Sequence, residues 1–265
     1  MFEQLVNTII LGLIQGFAEW LPISSTAHLR IAEHFLDLEV TPLLSITLHV
    51  GTLIVVVFYF RKEVKNILSA LTHLDTKSEY GQLIPPIIVA TIPTAIVGLL
   101  YVKFLEDTFQ TILVIGATFL VGATIVYISR IGKEKTEKIT YTVAVIMGAA
   151  QGFAIFPGLS RSGITISTAL LLGLKREKAF KFSFILSIPA IVGDLAVEAY
   201  KQGGQLAPEG IGSIELLVGV IIAMIAGYIA IKLVSKFVAS RKFHYFAIYT
   251  WLLGIALIAL TLRGF

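Results

Sequence analysis

The chain alternates long apolar runs with short, mostly basic connections. Six runs approach the roughly 20 apolar residues that a spanning helix needs, at about 42–60, 84–104, 111–129, 181–200, 214–234 and 245–262. Two further apolar regions are interrupted. Residues 4–36 break at Pro22, and residues 139–173 break at Pro157-Gly158. Each resulting piece holds about 12–18 residues, or ~18–27 Å at 1.5 Å per residue, short of ~30 Å of hydrocarbon. The pattern predicts six transmembrane helices and two re-entrant pairs of short helices, each pair entering and leaving on one side.

Composition agrees with that layout and narrows the class. The chain is 56% hydrophobic and 14% charged, with a mean hydropathy of +0.88, whereas soluble domains are about one quarter charged. An all-α polytopic membrane protein follows. No low-complexity tract or long linker divides it, so residues 1–265 read as one membrane domain. The first residues, "MFEQLVNTII", lack the basic stretch of a signal peptide and read as mature protein. The absence of Cys excludes disulfides and thiolate metal sites. The net charge of +4 does not point to nucleic acid, because its distribution follows the loops.

That distribution sets an orientation. With both termini outside, the inner loops carry Arg61, Lys62, Lys65, Lys77, Arg130, Lys133, Lys135, Lys138, Lys175, Arg176, Lys178, Lys181, Lys232, Lys236, Arg241 and Lys242. The outer loops and ends carry Arg30, Lys103, Lys201 and Arg263, and Arg161 completes the 21. So strong a bias obeys the positive-inside rule. Reading either interrupted region as a single crossing spoils the alternation.

The two breaks resemble each other. "GLIQGFAEWLPISS" (12–25) and "GAAQGFAIFPGLSRS" (148–162) share Gln-Gly-Phe-Ala, followed by an aromatic residue, a Pro and hydroxyls. Three spanning segments follow each copy, so the second copy is flipped relative to the first. The expectation is an inverted-topology repeat, with one half at about 1–130 and the other at about 139–265. Broken helices at matching positions of two halves point to a central site, since irregular backbone at membrane depth needs a protein or water-lined surrounding.

Each break carries chemistry. Pro22 ends one half-helix, and Ser24, Ser25 and Thr26 open the next, where hydroxyls cap free N–H groups and the helix dipole favours an anion. His28 lies three residues past Ser25, on the same helical face. Gln15 and Glu19 share a face of the preceding half-helix. The second break supplies Ser160, Arg161, Ser162 and Thr165 between two glycines. An Arg at this depth is costly and marks function, and its planar fork suits phosphate oxygens. Against this, single hydroxyls commonly join membrane helices, Arg161 and Glu19 could form a purely structural pair, and a lone His28 reads as interfacial. His49-Val-Gly51-Thr52 is a weaker candidate for a cavity wall. Asp194 and Glu198, near an outer helix end, read as interfacial residues.

"QGFAEWLPISSTAH" and "PGLSRSGITIS" resemble the two signature motifs of the undecaprenyl-diphosphate phosphatases of the bacitracin-resistance type, and the resemblance covers the whole chain. It implies an integral-membrane phosphatase that takes the terminal phosphate from a long polyprenyl diphosphate, regenerating the lipid carrier for cell-envelope glycans. It implies the fold of an inverted-repeat transporter. By motif position the functional residues fall on Glu19, Ser24, Ser25, Thr26 and His28, and on Ser160, Arg161, Ser162 and Thr165. Gln15 stands where many members carry Glu, and Ala27 where Gly is usual. Gln15 removes one carboxylate of a two-carboxylate metal site.

The expected mechanism has Arg161, Ser160, Ser162 and helix amides holding the diphosphate, with Gln15, Ser24, Thr26 and Thr165 around it. Mg²⁺ or Ca²⁺ would bridge phosphate oxygens with Glu19 as its protein ligand. Ser25 attacks with His28 as base or orienting group, or water attacks, activated by His28 or Glu19. The partners are the polyprenyl diphosphate, membrane lipids and, in a homodimer, a second copy, but not nucleic acid. The alternative, a polyprenyl-phosphate transporter, flippase or scramblase, uses the same site. The multi-pass chain is expected in the plasma membrane with its active site facing the exterior. Because the chain has no Cys, single cysteines at Lys65 or Lys77 give a direct test. They should react with a membrane-impermeant maleimide only after permeabilisation, and labelling in intact cells would refute the topology.

Overall fold

The computed structural model describes residues 2–203 and 212–264, and among these nearly everything regular is helical. In chain order the helices are α1 (Phe2–Trp20), α2 (Ser25–Leu36), α3 (Pro42–Tyr59), α4 (Arg61–Thr72), α5 (Ile84–Phe104), α6 (Ile112–Ile128), α7 (Tyr141–Phe153), α8 (Arg161–Leu171), α9 (Arg176–Lys201), α10 (Ser213–Ala239) and α11 (Phe246–Leu262). Among the described residues six helices, α3, α5, α6, α9, α10 and α11, are long and apolar enough to cross a membrane. They coincide with the six apolar runs. α9 begins at Arg176 rather than 181, and α10 ends at Ala239 rather than 234. Their added turns hold the basic residues Arg176, Lys178 and Lys236.

Local sequence explains where helices start and stop. Thr41, Thr111 and Thr140 each accept a hydrogen bond from the backbone N–H three residues on, at Leu44, Val114 and Val143, the usual capping geometry. Pro42 follows the first of these caps. α1 ends where Pro22 approaches, and α7 ends before Pro157-Gly158, so both interrupted regions are helix–break–helix. α4 was hidden in what reads as a loop. Val64, Ile67, Leu68 and Leu71 follow the i, i+3, i+4, i+7 pattern of an amphipathic helix, too short to register as a span.

The packing is reciprocal between the halves. α1 lies against α10 and α7 against α5, while α3 meets α9 and α6 meets α11. Exchanging α1, α3, α5 and α6 for α7, α9, α10 and α11 returns the same set of pairs. The shared motif explains the first two. Gly12 and Gly16 face α10, where an added Cβ would come within 2.9 Å of the Gly219 carbonyl and 2.5 Å of the Ala223 carbonyl. Gly148 and Gly152 face α5, where it would come within 2.0 Å of the Ala90 carbonyl and 2.7 Å of the Val97 side chain. Two glycines four apart let helix backbones approach closely, once in each half.

The basic connections meet at one end of the molecule. Lys178 pairs with Glu79 at 2.6 Å, Lys181 approaches Glu63, and Glu134 joins Arg176 at 3.3 Å to Arg241 at 3.0 Å. These contacts tie together the connections after α3, α6, α8 and α10. At the other end, Lys201 holds Glu106 and Arg30 holds Gln110.

The motif glycines give a stability test. Gly16→Leu and Gly152→Leu should each destabilise the fold by about 1–3 kcal/mol, the usual cost of overpacking. Gly98→Ala, whose added methyl meets only an ordinary contact at 3.8 Å, should not. Thermal unfolding of the detergent-solubilised protein reads the difference.

Candidate active site

The two breaks face each other and are hydrogen-bonded together. The Gly158 backbone N–H donates to Ser24 Oγ at 3.1 Å, and Ser160 Oγ donates to the Leu21 carbonyl at 3.3 Å. Both turns are shaped for this. Ser24 has φ +70°, a conformation rare for a residue with a side chain and common at functional sites. Gly158 has φ +98°, and an added Cβ would strike Thr118 Oγ1 at 2.1 Å. Thr118 in turn donates to the Pro157 carbonyl.

Glu19 occupies the junction. Its side chain is 1% exposed. Oε1 pairs with Arg161 Nη2. Oε2 accepts from Ser25 Oγ at 2.7 Å and from Gln15 Nε2 at 3.1 Å, with His49 Nε2 at 3.8 Å. The carboxylate belongs to the last turn of α1, the hydroxyl to the first turn of α2, the guanidinium to the first turn of α8 and the imidazole to α3. On the far side of the guanidinium, Asp194 Oδ2 of α9 stands 3.9 Å from Nη1.

These groups open onto a cavity of about 500 Å³. Glu19, Ser24, Ser25, Thr26, His49, Ser160, Arg161 and Asp194 form its polar floor. Leu99, Val102, Ile155, Leu159 and Val197 make an apolar flank, and Arg30, Glu106, Gln110 and Lys201 stand at the charged rim. Ser160 caps α8 by accepting from the Gly163 N–H at 3.2 Å, so the positive end of that helix is presented beside Arg161. α2 is different. Ser24 makes no cap bond and its hydroxyl is committed to Gly158, which leaves the first N–H groups of α2 without a side-chain cap, available to an anion.

The site candidates therefore divide. Glu19, Ser24, Ser25, Thr26, Ser160 and Arg161 line one cavity. Gln15 lies buried behind Glu19 and orients it, Ser162 bonds Ser160 at 3.2 Å, and Thr165 donates to the Arg161 carbonyl at 2.8 Å. His28 points elsewhere. Its Nδ1 donates to the Ser24 carbonyl at 2.8 Å, and its Nε2 lies 2.7 Å from the Tyr249 hydroxyl on α11. Both ring nitrogens are engaged, and the proton of Ser25 goes to Glu19 instead. A shared helical face did not bring Ser25 and His28 into contact, because Ser25 turns to Glu19 on α1 and His28 to Tyr249 on α11. His49 and Asp194, read as a weaker candidate and as interfacial, are both cavity residues.

Glu19 Oε1 pairs with Arg161 and Oε2 with Ser25 and Gln15, and no group of three or more His, Cys, Asp and Glu side chains converges beside it among the described residues, so Glu19 is the one carboxylate of the two breaks.

Residues 8–256 match the family described as Bacitracin resistance protein BacA. The chain belongs to that family. Curated relatives extend the likeness over nearly the whole length. An undecaprenyl-diphosphatase of Carboxydothermus hydrogenoformans is 38% identical, covering 97% of this chain and 98% of that protein. Undecaprenyl-diphosphatase 3 of Bacillus cereus is 40% identical, covering 96% of each. An undecaprenyl-diphosphatase of Korarchaeum cryptofilum is 37% identical, covering 97% of this chain and 99% of that protein. For this BacA-family protein the breaks are the place where the two halves of the matched region meet.

Removing one partner of the buried pair isolates its contribution. Glu19→Ala leaves the guanidinium with only Asp194, at 3.9 Å, and should cost about 3–5 kcal/mol. A double-mutant cycle of Glu19→Gln with Arg161→Gln should show strong coupling in thermal unfolding; additive losses would mean the pair is incidental.

Proposed function

We propose that this protein hydrolyses undecaprenyl diphosphate, or a polyprenyl diphosphate like it, to the monophosphate and inorganic phosphate. The observation that carries this reading is the cavity floor, where a hydroxyl bonded to a buried carboxylate stands beside a guanidinium with one arm free. Relatives named for this activity over nearly their full length support it. The apolar flank suits the prenyl chain, and the polar floor suits the headgroup.

The residues divide the work. Phosphoryl transfer needs positioning and charge stabilisation more than covalent chemistry. Arg161 offers Nη1, which is buried and has no hydrogen-bond partner among the described residues, and the N-terminal amides of α2 and α8 aim at the same space. Ser25 donates its proton to Glu19 Oε2, so the carboxylate is the base and the oxygen lone pairs face the cavity. Oγ bonds to the terminal phosphorus, the bond from that phosphorus to the bridging oxygen breaks, and polyprenyl monophosphate leaves. Water then releases phosphate from Ser25. Direct attack by a water on Glu19 uses the same groups and gives the same products. A divalent cation such as Mg²⁺ or Ca²⁺ would be held by Glu19 and would supply further neutralisation of the phosphate charge.

The two halves form an inverted repeat in this proposal, with the basic end of the molecule in the cytoplasm and both ends of the chain outside. The cavity rim near Arg30 and Lys201 then faces the exterior of the plasma membrane, where a carrier diphosphate remains after glycan transfer. Met1 and Phe265 themselves lie outside the described residues.

Phosphate release from polyprenyl diphosphate by the purified protein tests the reading. Ser25→Ala, Glu19→Gln and Arg161→Ala should each lower kcat/KM by at least about 100-fold, as loss of a nucleophile, base or charge clamp does. Arg161→Lys should recover little, because a point charge cannot replace the fork. Lipid movement across vesicles without any phosphate release would favour a transporter instead.

A further inference from the structure

Two carboxylates share one guanidinium. Glu19 holds Nη2 of Arg161, and Asp194 stands 3.9 Å from Nη1, beyond hydrogen-bonding distance. Nη1 is buried and otherwise unpartnered among the described residues, and the Arg161 side chain is 17% exposed. Asp194 is the opposite case. Its side chain is 57% exposed, and the surface it leaves open is that of the cavity wall it helps to form. Its neighbour Gly193 also lines the cavity, and a Cβ built there meets nothing within 4 Å. Arg161, Gly193 and Asp194 thus border the same cavity space.

A phosphate oxygen entering that space would accept from Nη1. It would also come beside the Asp194 carboxylate, whose oxygens compete for the same donor. Holding Arg161 in place does not require Asp194, since Glu19 and the α8 helix already do so. The floor of the cavity thus carries one more carboxylate than its guanidinium can neutralise, set where the ligand's own negative charge must sit.

We infer that Asp194 is a displaceable partner of Arg161, one that closes over Nη1 in the empty site, weakens the hold on phosphate and drives the inorganic product off. This rests on the phosphatase reading of the site, and it makes Asp194 a positioning residue whose effect is on release. A site that gripped phosphate with Arg161 and two helix ends, unopposed, would be held by its own product. Opposition from a like charge at close range keeps the grip for the phosphoryl group in flight, whose charge spreads away from the ground-state oxygens.

The test compares Asp194→Asn and Asp194→Glu with the wild type, using inorganic phosphate and polyprenyl monophosphate as separate inhibitors. Asp194→Asn should lower the Ki for inorganic phosphate by about five- to tenfold, the scale of one like charge removed from a partly screened site. Its KM for polyprenyl diphosphate should fall as well, without a gain in kcat, and Asp194→Glu should stay near the wild type. Unchanged or weaker inhibition by inorganic phosphate in Asp194→Asn overturns the inference, and tightening confined to polyprenyl monophosphate does so too. Stabilisation by inorganic phosphate in thermal unfolding needs no turnover. If the wild type releases no phosphate, the phosphatase reading fails, and the order of phosphate stabilisation between wild type and Asp194→Asn still decides for or against Asp194.

Discussion

The Glu19–Arg161 pair is the constraint from which the rest of the structure can be understood. Each charge alone would be too costly to keep at this depth, and neither belongs to the same half of the chain as the other. The pair exists only if the end of α1 and the start of α8 are brought together. That in turn requires both helices to stop short, the two turns to interlock through Ser24, Gly158, Leu21 and Ser160, and α1 and α7 to be held tightly against α10 and α5. The glycines that permit this close packing are the ones that flank Gln15 and Gln151 in the shared motif. What looks like a catalytic signature is thus partly a packing signature, and the two uses cannot be separated.

A buried ion pair of this kind is weak as a source of stability, because desolvation offsets most of its Coulomb gain. Its value lies in specification. The surroundings of Glu19 leave each oxygen with a fixed task, Oε1 toward Arg161 and Oε2 toward Ser25. A carboxylate so directed is ready to take a proton from the hydroxyl without rearranging, which is what electrostatic preorganisation requires. The arrangement also leaves Arg161 Nη1 buried without a hydrogen-bond partner among the described residues.

Much of this was legible in the sequence, and the reasons are specific. The spans could be read because hydropathy over about 20 residues is a strong signal. The breaks could be read because Pro22 and Pro157-Gly158 interrupt it. Ser25, Glu19 and Arg161 stood out as polar chemistry in an apolar setting. The pairing of Ser25 could not be read, since periodicity relates Ser25 to His28 along one helix but says nothing across a break, where Glu19 is the true neighbour. His49 and Asp194 were obscured for a different reason. A single polar residue near the end of an apolar span looks like an interfacial one, and only the convergence of α3 and α9 on the breaks turns them inward. α4 escaped because its apolar stripe is too short and too mixed with charge to be taken for a span.

The resemblance between the halves ends where the chemistry begins. Gln15 and Gln151 occupy matching positions on α1 and α7, each a turn before the break. In the first half the residue four further on is Glu19, and Gln15 donates to it. In the second half that residue is Ile155, and Gln151 turns its amide toward Thr94 and the Leu186 carbonyl. Likewise the first break carries Ser25 at the second hydroxyl and the second break carries Arg161 next to Ser160. Had the two halves stayed alike, their junction would hold two carboxylates with no guanidinium or two guanidiniums with no carboxylate. A shared backbone brings the breaks together, and the differences between them supply a carboxylate and a hydroxyl from one side and a guanidinium from the other, so neither half contains the whole constellation by itself.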